Sequence, residues 1–244
     1  MRDQLKVIGF ATVICLVCSV LLAVVSTGLA PRQARNKAND VKGKVLQVFG
    51  ESVTDAKGKI CVTPDELDSM YSERITGIVL DAQGHKVDSR TVDSLTAQEV
   101  NVRDKASRLK TFYPLYIYTA PESGAKRYAI HVSGKGLWST VKAFMALEGD
   151  LSTIAGIVFY EHQETPGLGG EVEKPFFQDR FKGKKWIADG NVQPFRVTKP
   201  GAPITDHSVD GITAATMTCI GVERFLNADY AVYHRYFEQM KAQD

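Results

Sequence analysis

The chain is short of charge of one sign. Its 30 Lys and Arg stand against 28 Asp and Glu, a formal net charge of +2, and the basic residues are scattered rather than interleaved with aromatics along one stripe. That distribution gives no reason to propose nucleic acid as a partner. No G-x-G-x-x-G stretch occurs, so nothing supports a dinucleotide-binding Rossmann unit; Gly134-Lys135-Gly136 is too short to count. The five histidines (His85, His131, His162, His207, His234) show neither metal-ligand spacing nor a nucleophile partner and are assigned no chemistry. Cysteine is scarce, at four residues. Cys15 and Cys18 are spaced C-x-x-C but lie in an apolar run without any other ligand type, which favours small packing residues over a redox or metal role. Cys61 and Cys219 are far apart in sequence and are read as free thiols. Internal repeats and low-complexity segments are also missing.

What is present is an ordinary globular composition, 44% hydrophobic and 24% charged in 244 residues, enough for one domain with a proper core or two small ones. Val7 to Ala30 contains no charged residue and is long enough to cross a bilayer as a helix. A cleaved signal peptide is the competing reading, because Gly28-Leu29-Ala30 has a small-x-small pattern. Pro31 after the cut and the length of the apolar run favour a retained anchor. The expected organisation is therefore an anchor over residues 1–30, then a linker helix and one domain over 31–244. Arg2 and Lys6 precede the span, whereas Arg32, Arg35, Lys37, Lys42 and Lys44 follow it. Taken alone, the positive-inside rule would leave the domain in the cytoplasm.

Beyond the anchor, Gln33 to Phe49 has helical periodicity and is stopped by Gly50. Thr63-Pro64-Asp65-Glu66 and Thr96-Ala97-Gln98-Glu99 are capping boxes. The first predicts a short helix to about Tyr71, the second a polar segment through Arg108. Strands are expected at Ile75–Leu80, Leu115–Thr119, Tyr128–Val132, Ile154–Tyr160 and Phe195–Thr198, with a turn at Gln83-Gly84 and a helical turn at Phe176–Phe181. A C-terminal helix runs to about Met240, with a break near Asn227. Antiparallel-looking strands flanked by helices, without βαβ alternation, predict an α+β fold behind one transmembrane helix.

Three stretches carry candidate chemistry. Asp210-Gly211-Ile212-Thr213-Ala214-Ala215-Thr216 precedes the C-terminal helix. Thr213 is the expected N-cap, and Thr216 would sit on the first turn, where free N–H groups and the helix dipole favour an anion. On spacing alone the plain reading, an ordinary capped helix with a Thr-rich start, is the favoured one. Glu164-Thr165-Pro166-Gly167-Leu168-Gly169-Gly170 is a loop in which Pro166 sets a turn and glycines permit close backbone approach. By itself it reads as a surface turn. Trp138, after Gly136-Leu137, offers a flat apolar surface, though such a residue is more often part of a core or rim.

The first stretch resembles the flavinylation motif D-G-x-[ST]-G-A-[ST] of covalent-FMN proteins, with Ala214 where that family usually has Gly. The second is similar to the E-T-P-G-L-G loop of the C subunit of the Na+-translocating NADH:quinone oxidoreductase (Nqr), a loop that the G subunit of the related Rnf complex shares. Gly134-Lys135-Gly136-Leu137-Trp138 is similar to the family element G-x-G-L-W. The resemblance covers most of the chain. It implies FMN joined by a flavin transferase through a phosphoester to Thr216, with Gly211, Thr213, Ala214 and Ala215 around the attachment point. It further implies that the loop with Thr165, Gly167, Leu168 and Gly169 wraps the flavin, that Glu164 orients this loop or bonds a backbone N–H, and that Leu137 and Trp138 wall the pocket. Lys199 is a candidate counter-charge to the phosphate; a solvated lysine beside a turn is the alternative. The resemblance implies an electron carrier that is not catalytic on its own, within a membrane complex that oxidises NADH, reduces quinone and exports Na+. Its partners would be the other Nqr or Rnf subunits, and its domain would face the periplasm from the bacterial inner membrane. Nqr and Rnf membership are not separated by these motifs. The rival from another class is a membrane-tethered binding module without redox activity.

Overall fold

The computed structural model describes residues 2–53 and 60–242. Contacts within the chain divide it between Val41 and Lys42. The first part consists of most of α1 (Arg2–Val48), one continuous helix that runs through Pro31. Its apolar residues from Val7 to Leu29 are exposed, and it is long and apolar enough to cross a membrane. The anchor and the linker helix expected from the sequence are thus one element. The last turns of α1 belong to the second part, where Val45, Leu46 and Val48 are buried together with Phe49.

The second part is built on a five-stranded antiparallel meander. α2 (Pro64–Arg74) starts at the predicted capping box, with Thr63 and Glu66 bonding reciprocally and Pro64 at its first position, and runs a turn past the expected end. β1 (Ile75–Asp81) follows, then the single turn α3 (Ala97–Asn101), capped by Thr96 and Glu99. The remaining strands are β2 (Phe112–Thr119), β3 (Lys126–Lys135), β4 (Thr140–Leu147) and β5 (Ile154–Glu161), each paired with its sequence neighbour. β4 is absent from the sequence expectation. Its residues from Ala143 to Leu147 are all buried, without alternation, because both faces of the sheet are covered, so the period-2 signal of a half-exposed strand is erased.

After β5 come the short helix α4 (Pro175–Gln178), a two-stranded ribbon of β6 (Ile187–Ala188) and β7 (Asn191–Val192), and a parallel pair of β8 (Arg196–Thr198) and β9 (Ser208–Asp210). The chain ends in α5 (Thr216–Lys241). α5 lies on the sheet face that carries Leu115, Ile130, Val132, Ala143 and Met145, burying Val222, Phe225, Leu226, Tyr230 and Tyr233 in one core with Trp186 and Phe195. Each such aromatic or aliphatic side chain contributes about 2–3 kcal/mol by leaving water. The opposite face, with Tyr116, Tyr118 and Phe144, meets the end of α1, where Phe49 stacks on Tyr118 at 4.9 Å between centroids. The predicted break at Asn227 does not occur. The Asn227 amide accepts from Phe195 N–H and donates to the Phe195 and Glu223 carbonyls, so tertiary partners hold a weak helix former inside a continuous helix.

Candidate functional site

The site forms where three chain segments that are distant in sequence meet. The first is the start of α5. β9 ends at Asp210, and Gly211 passes so close to β8 that a Cβ there would stand 2.5 Å from the Thr198 carbonyl oxygen. Gly211 N–H donates to that carbonyl at 2.9 Å, and the Arg180 guanidinium donates to the Asp210 and Gly211 carbonyls at 2.8 Å each. Ile212 to Ala215 then closes a turn through Ala215 N–H to the Ile212 carbonyl, with Ala214 in the left-handed region at φ 61°. Helical geometry begins at Thr216. Ala215 occupies the N-cap position, and no side chain caps the helix. Thr213 is therefore not the N-cap: the left-handed residue after it separates it from the helix, and its side chain is exposed in the turn. Thr216, also exposed, is the first residue of α5. Its N–H and those of Met217 and Thr218 precede the first intrahelical bond, which Cys219 N–H makes to the Ala215 carbonyl at 3.0 Å.

The second segment is the loop after β5. Glu164 is buried, while Thr165, Pro166, Gly167 and Leu168 are exposed. The Leu168 and Gly170 N–H groups donate to the Thr165 carbonyl, and Gly167, at φ 76° with open space around it, donates to Glu171 Oε1. The third segment is the turn of the β3–β4 hairpin, Gly136 to Ser139, closed by Gly136 N–H to the Ser139 carbonyl at 2.8 Å. Leu137 and Trp138 are exposed on it, Trp138 by 67%.

The Glu164 carboxylate joins all three. Its Oε1 accepts from Trp138 N–H at 3.0 Å, Ser139 N–H at 2.9 Å and the Ser139 hydroxyl at 3.3 Å. Its Oε2 accepts from Leu137 N–H at 3.1 Å and the Thr218 hydroxyl at 2.7 Å. Burial acts to raise the Glu164 pKa, but the Ser139 amide, the Thr218 hydroxyl and the Trp138 and Leu137 amides outweigh it and hold the group below its ordinary value. Glycine is required around this carboxylate: a Cβ at Gly136 would lie 2.8 Å from Oε1, and one at Gly169 would lie 2.9 Å from Oε2 and collide with the Thr218 hydroxyl. Cys219, buried beneath the start of α5, accepts from Ile212 N–H at 3.3 Å. Burial pushes its thiol pKa up, which makes it a packing residue rather than a nucleophile. Cys61 and Cys219 are both free thiols.

Of the residues singled out from sequence, Leu137, Trp138, Glu164, Gly169 and the start of α5 are brought together. Lys199 is exposed, next to the Thr198 that holds Gly211, and makes no ion pair among the described residues. Ser139 and Arg180, and the bond from the Thr218 hydroxyl to Glu164, escaped the sequence reading, since they depend on pairings across long sequence separations. The arrangement suits a ligand with an anionic end and a flat apolar end. N–H groups that precede the first intrahelical bond and an exposed hydroxyl lie at the start of a helix, and Leu137, Trp138, Leu168 and Met217 are exposed.

Residues 136–230, from the hairpin turn to the middle of α5 and so across all three segments of the site, match the FMN-binding domain family. The C subunit of the Na(+)-translocating NADH-quinone reductase of Vibrio vulnificus is 34% identical over 228 residues, covering 89% of this chain and 87% of that protein. The same subunit of Vibrio anguillarum is 34% identical over 234 residues, covering 91% and 89%. The crystal structure of the C subunit from Parabacteroides distasonis superposes with a TM-score of 0.70 at 28% identity, over 85% of this chain and 96% of that one. The chain belongs to the family of the C subunit of the Na(+)-translocating NADH-quinone reductase.

Proposed function

We propose that this chain is a membrane-anchored electron carrier of a Na+-translocating NADH:quinone reductase, with FMN attached through its phosphate to Thr216. Family membership supports the complex and the flavin. The observation that carries the attachment is the start of α5, where an exposed hydroxyl sits on the first residue of a helix that no side chain caps. A phosphate there gains the N–H groups of the first turn and the favourable end of the helix dipole. In maturation a flavin transferase brings the flavin as a phosphoanhydride. The Thr216 oxygen gains the bond to phosphorus and gives up its proton as the anhydride bond breaks, and the donor's second phosphate departs with that bond's electron pair. Attachment through the phosphate leaves the ring unsubstituted, and the bound flavin supplies one- and two-electron chemistry. Leu137, Trp138 and Leu168 offer it apolar surface, while the backbone of Gly211 to Ala215 fixes the attachment point. The membrane span is the apolar part of α1. The domain is assigned to the periplasmic side, where a tether prevents loss of the cofactor.

The test is mass spectrometry of the Thr216 peptide after co-expression with a flavin transferase, together with in-gel fluorescence. Wild type carries an FMN-sized addition and a fluorescent band, Thr216→Ala carries neither, and Thr216→Ser retains part of the label. An addition on Thr213 or Thr218, or one that survives in Thr216→Ala, refutes the assignment. A non-fluorescent wild-type band would favour the binding module.

A further inference from the structure

We propose that Glu164 is the positioning residue of the flavin site: its carboxylate locks the Leu137–Ser139 turn to the first turn of α5. It thereby sets where the exposed Leu137 and Trp138 stand relative to the Thr216 hydroxyl. The inference rests on the assignment of FMN to Thr216, but its geometric half stands in the unlabelled protein.

Three successive backbone N–H groups, of Leu137, Trp138 and Ser139, converge on one carboxylate. Such a run of amides is a concavity that ordinarily takes an anion from outside. Here the chain fills it from within. Two consequences follow for a phosphorylated ligand. The hairpin nest is closed to the phosphate, whereas the N–H groups of Thr216, Met217 and Thr218, ahead of the first intrahelical bond of α5, face an anion at the start of the helix. The turn that presents Leu137 and Trp138 is also no longer free to move independently of α5, because the same carboxylate holds Thr218 at 2.7 Å, two residues beyond Thr216. Both oxygens of Glu164 receive only donors, three on Oε1 and two on Oε2. An amide in its place would point an NH2 group at N–H or O–H donors in either orientation. The carboxylate is thus required for its charge and its acceptor-only character, and a group of the same shape does not replace it.

The experiment uses the full-length chain in detergent, first unlabelled and then incubated with a flavin transferase and its flavin donor. In unlabelled Glu164→Gln, the amides of Leu137, Trp138 and Ser139 exchange about tenfold or more faster than in wild type, as expected when hydrogen bonds to a charged acceptor are lost. Trp138 emission shifts, while the buried Trp186 reports whether the core is intact. Labelling of Thr216 slows by up to about a hundredfold, the scale of a displacement of about 1 Å at a reacting group. Thr218→Val removes only the tie to α5 and slows labelling less, and Thr218→Ser restores it.

A merely structural role would lower the melting temperature and leave Trp138 emission, labelling rate and flavin potential unchanged below it. That outcome overturns the proposal. If Glu164→Gln does not fold, Thr218→Val and Thr218→Ser carry the test, and wild-type labelling with an unchanged flavin potential in Thr218→Val refutes it. If Thr216→Ala still carries flavin, the attachment assignment fails on its own, while exchange and emission still decide whether Glu164 is the clamp.

Discussion

Ala214 holds a conformation that its Cβ disfavours. Its φ of 61° lies in the left-handed region, at a cost of about 1–2 kcal/mol for an L-residue, and the turn from Ile212 to Ala215 demands it. Ala214→Gly removes that cost but adds roughly 0.5–1 kcal/mol of chain entropy lost on folding. The first effect is larger, so the variant is expected to be more stable by about 0.5 kcal/mol in denaturant unfolding. Flavin labelling is expected to be at least as fast as in wild type; a less stable, more slowly labelled variant would show that the methyl group packs usefully. Glu164 sets the acid behaviour at the same scale. Its pKa in the folded chain lies below 4.5, the value of an unperturbed glutamate. Its contribution is therefore complete above about that pH and is lost as pH falls through the depressed folded value. Glu164→Gln should be less stable than wild type at neutral pH, and the gap should narrow on acidification below about pH 4.5. A gap independent of pH would mean that the charge of Glu164 contributes nothing.

At the scale of elements, α5 is tied down at its first turn and again at its middle. Glu164 holds its first turn. Further along, Asp229, fully buried, accepts from Lys110 Nζ at 2.7 Å, from Arg103 at 2.6 Å and from Ser133 N–H at 2.9 Å, joining α5 to β3 and to the segment before β2. Burial pushes the Lys110 pKa down to about 8, only partly opposed by Asp229. Removing the carboxylate would strand a buried ammonium, so Asp229→Ala should cost about 3–5 kcal/mol in chemical denaturation, and a loss under about 1 kcal/mol would show that the site relaxes or hydrates freely. These ties also explain what is readable in the sequence. The capping boxes at Thr63 and Thr96 are local and can be read from four residues each. The Asp229 and Glu164 networks link residues from Arg103 to Asp229 and from Leu137 to Thr218, and no local pattern announces such pairings. β4 is hidden by burial on both faces, and Thr213 passes for a cap because nothing in the residue types marks Ala214 as left-handed. Gly136, Gly169 and Gly211 stand out in the sequence because a Cβ at any of them would collide with Glu164, Thr218 or the Thr198 carbonyl.

At the scale of the whole molecule, the apolar part of α1 and the domain have separate sources of stability. The apolar residues of α1 from Val7 to Leu29 are exposed and bury nothing within the chain. The domain is held by a meander whose strands pair with their sequence neighbours, by α5 on one face, and by Val45, Leu46 and Phe49 on the other. Contacts divide the chain at Val41 and Lys42, beyond Pro31. Deleting Met1 to Pro31 therefore removes the proposed membrane span without removing a buried side chain of the domain, whereas extending the deletion through Phe49 would uncover Tyr118 and the sheet face around it. The shorter deletion is expected to leave the membrane fraction, unfold cooperatively near the melting temperature of the full chain in detergent, and still accept FMN at Thr216. The longer deletion is expected to lose several kcal/mol, at about 2–3 kcal/mol per large side chain exposed, and to aggregate. Sedimentation, circular-dichroism melting and in-gel flavin fluorescence of the two truncations decide the matter: aggregation of both would place the domain boundary before Pro31, and solubility of both would show that the end of α1 is dispensable to the fold.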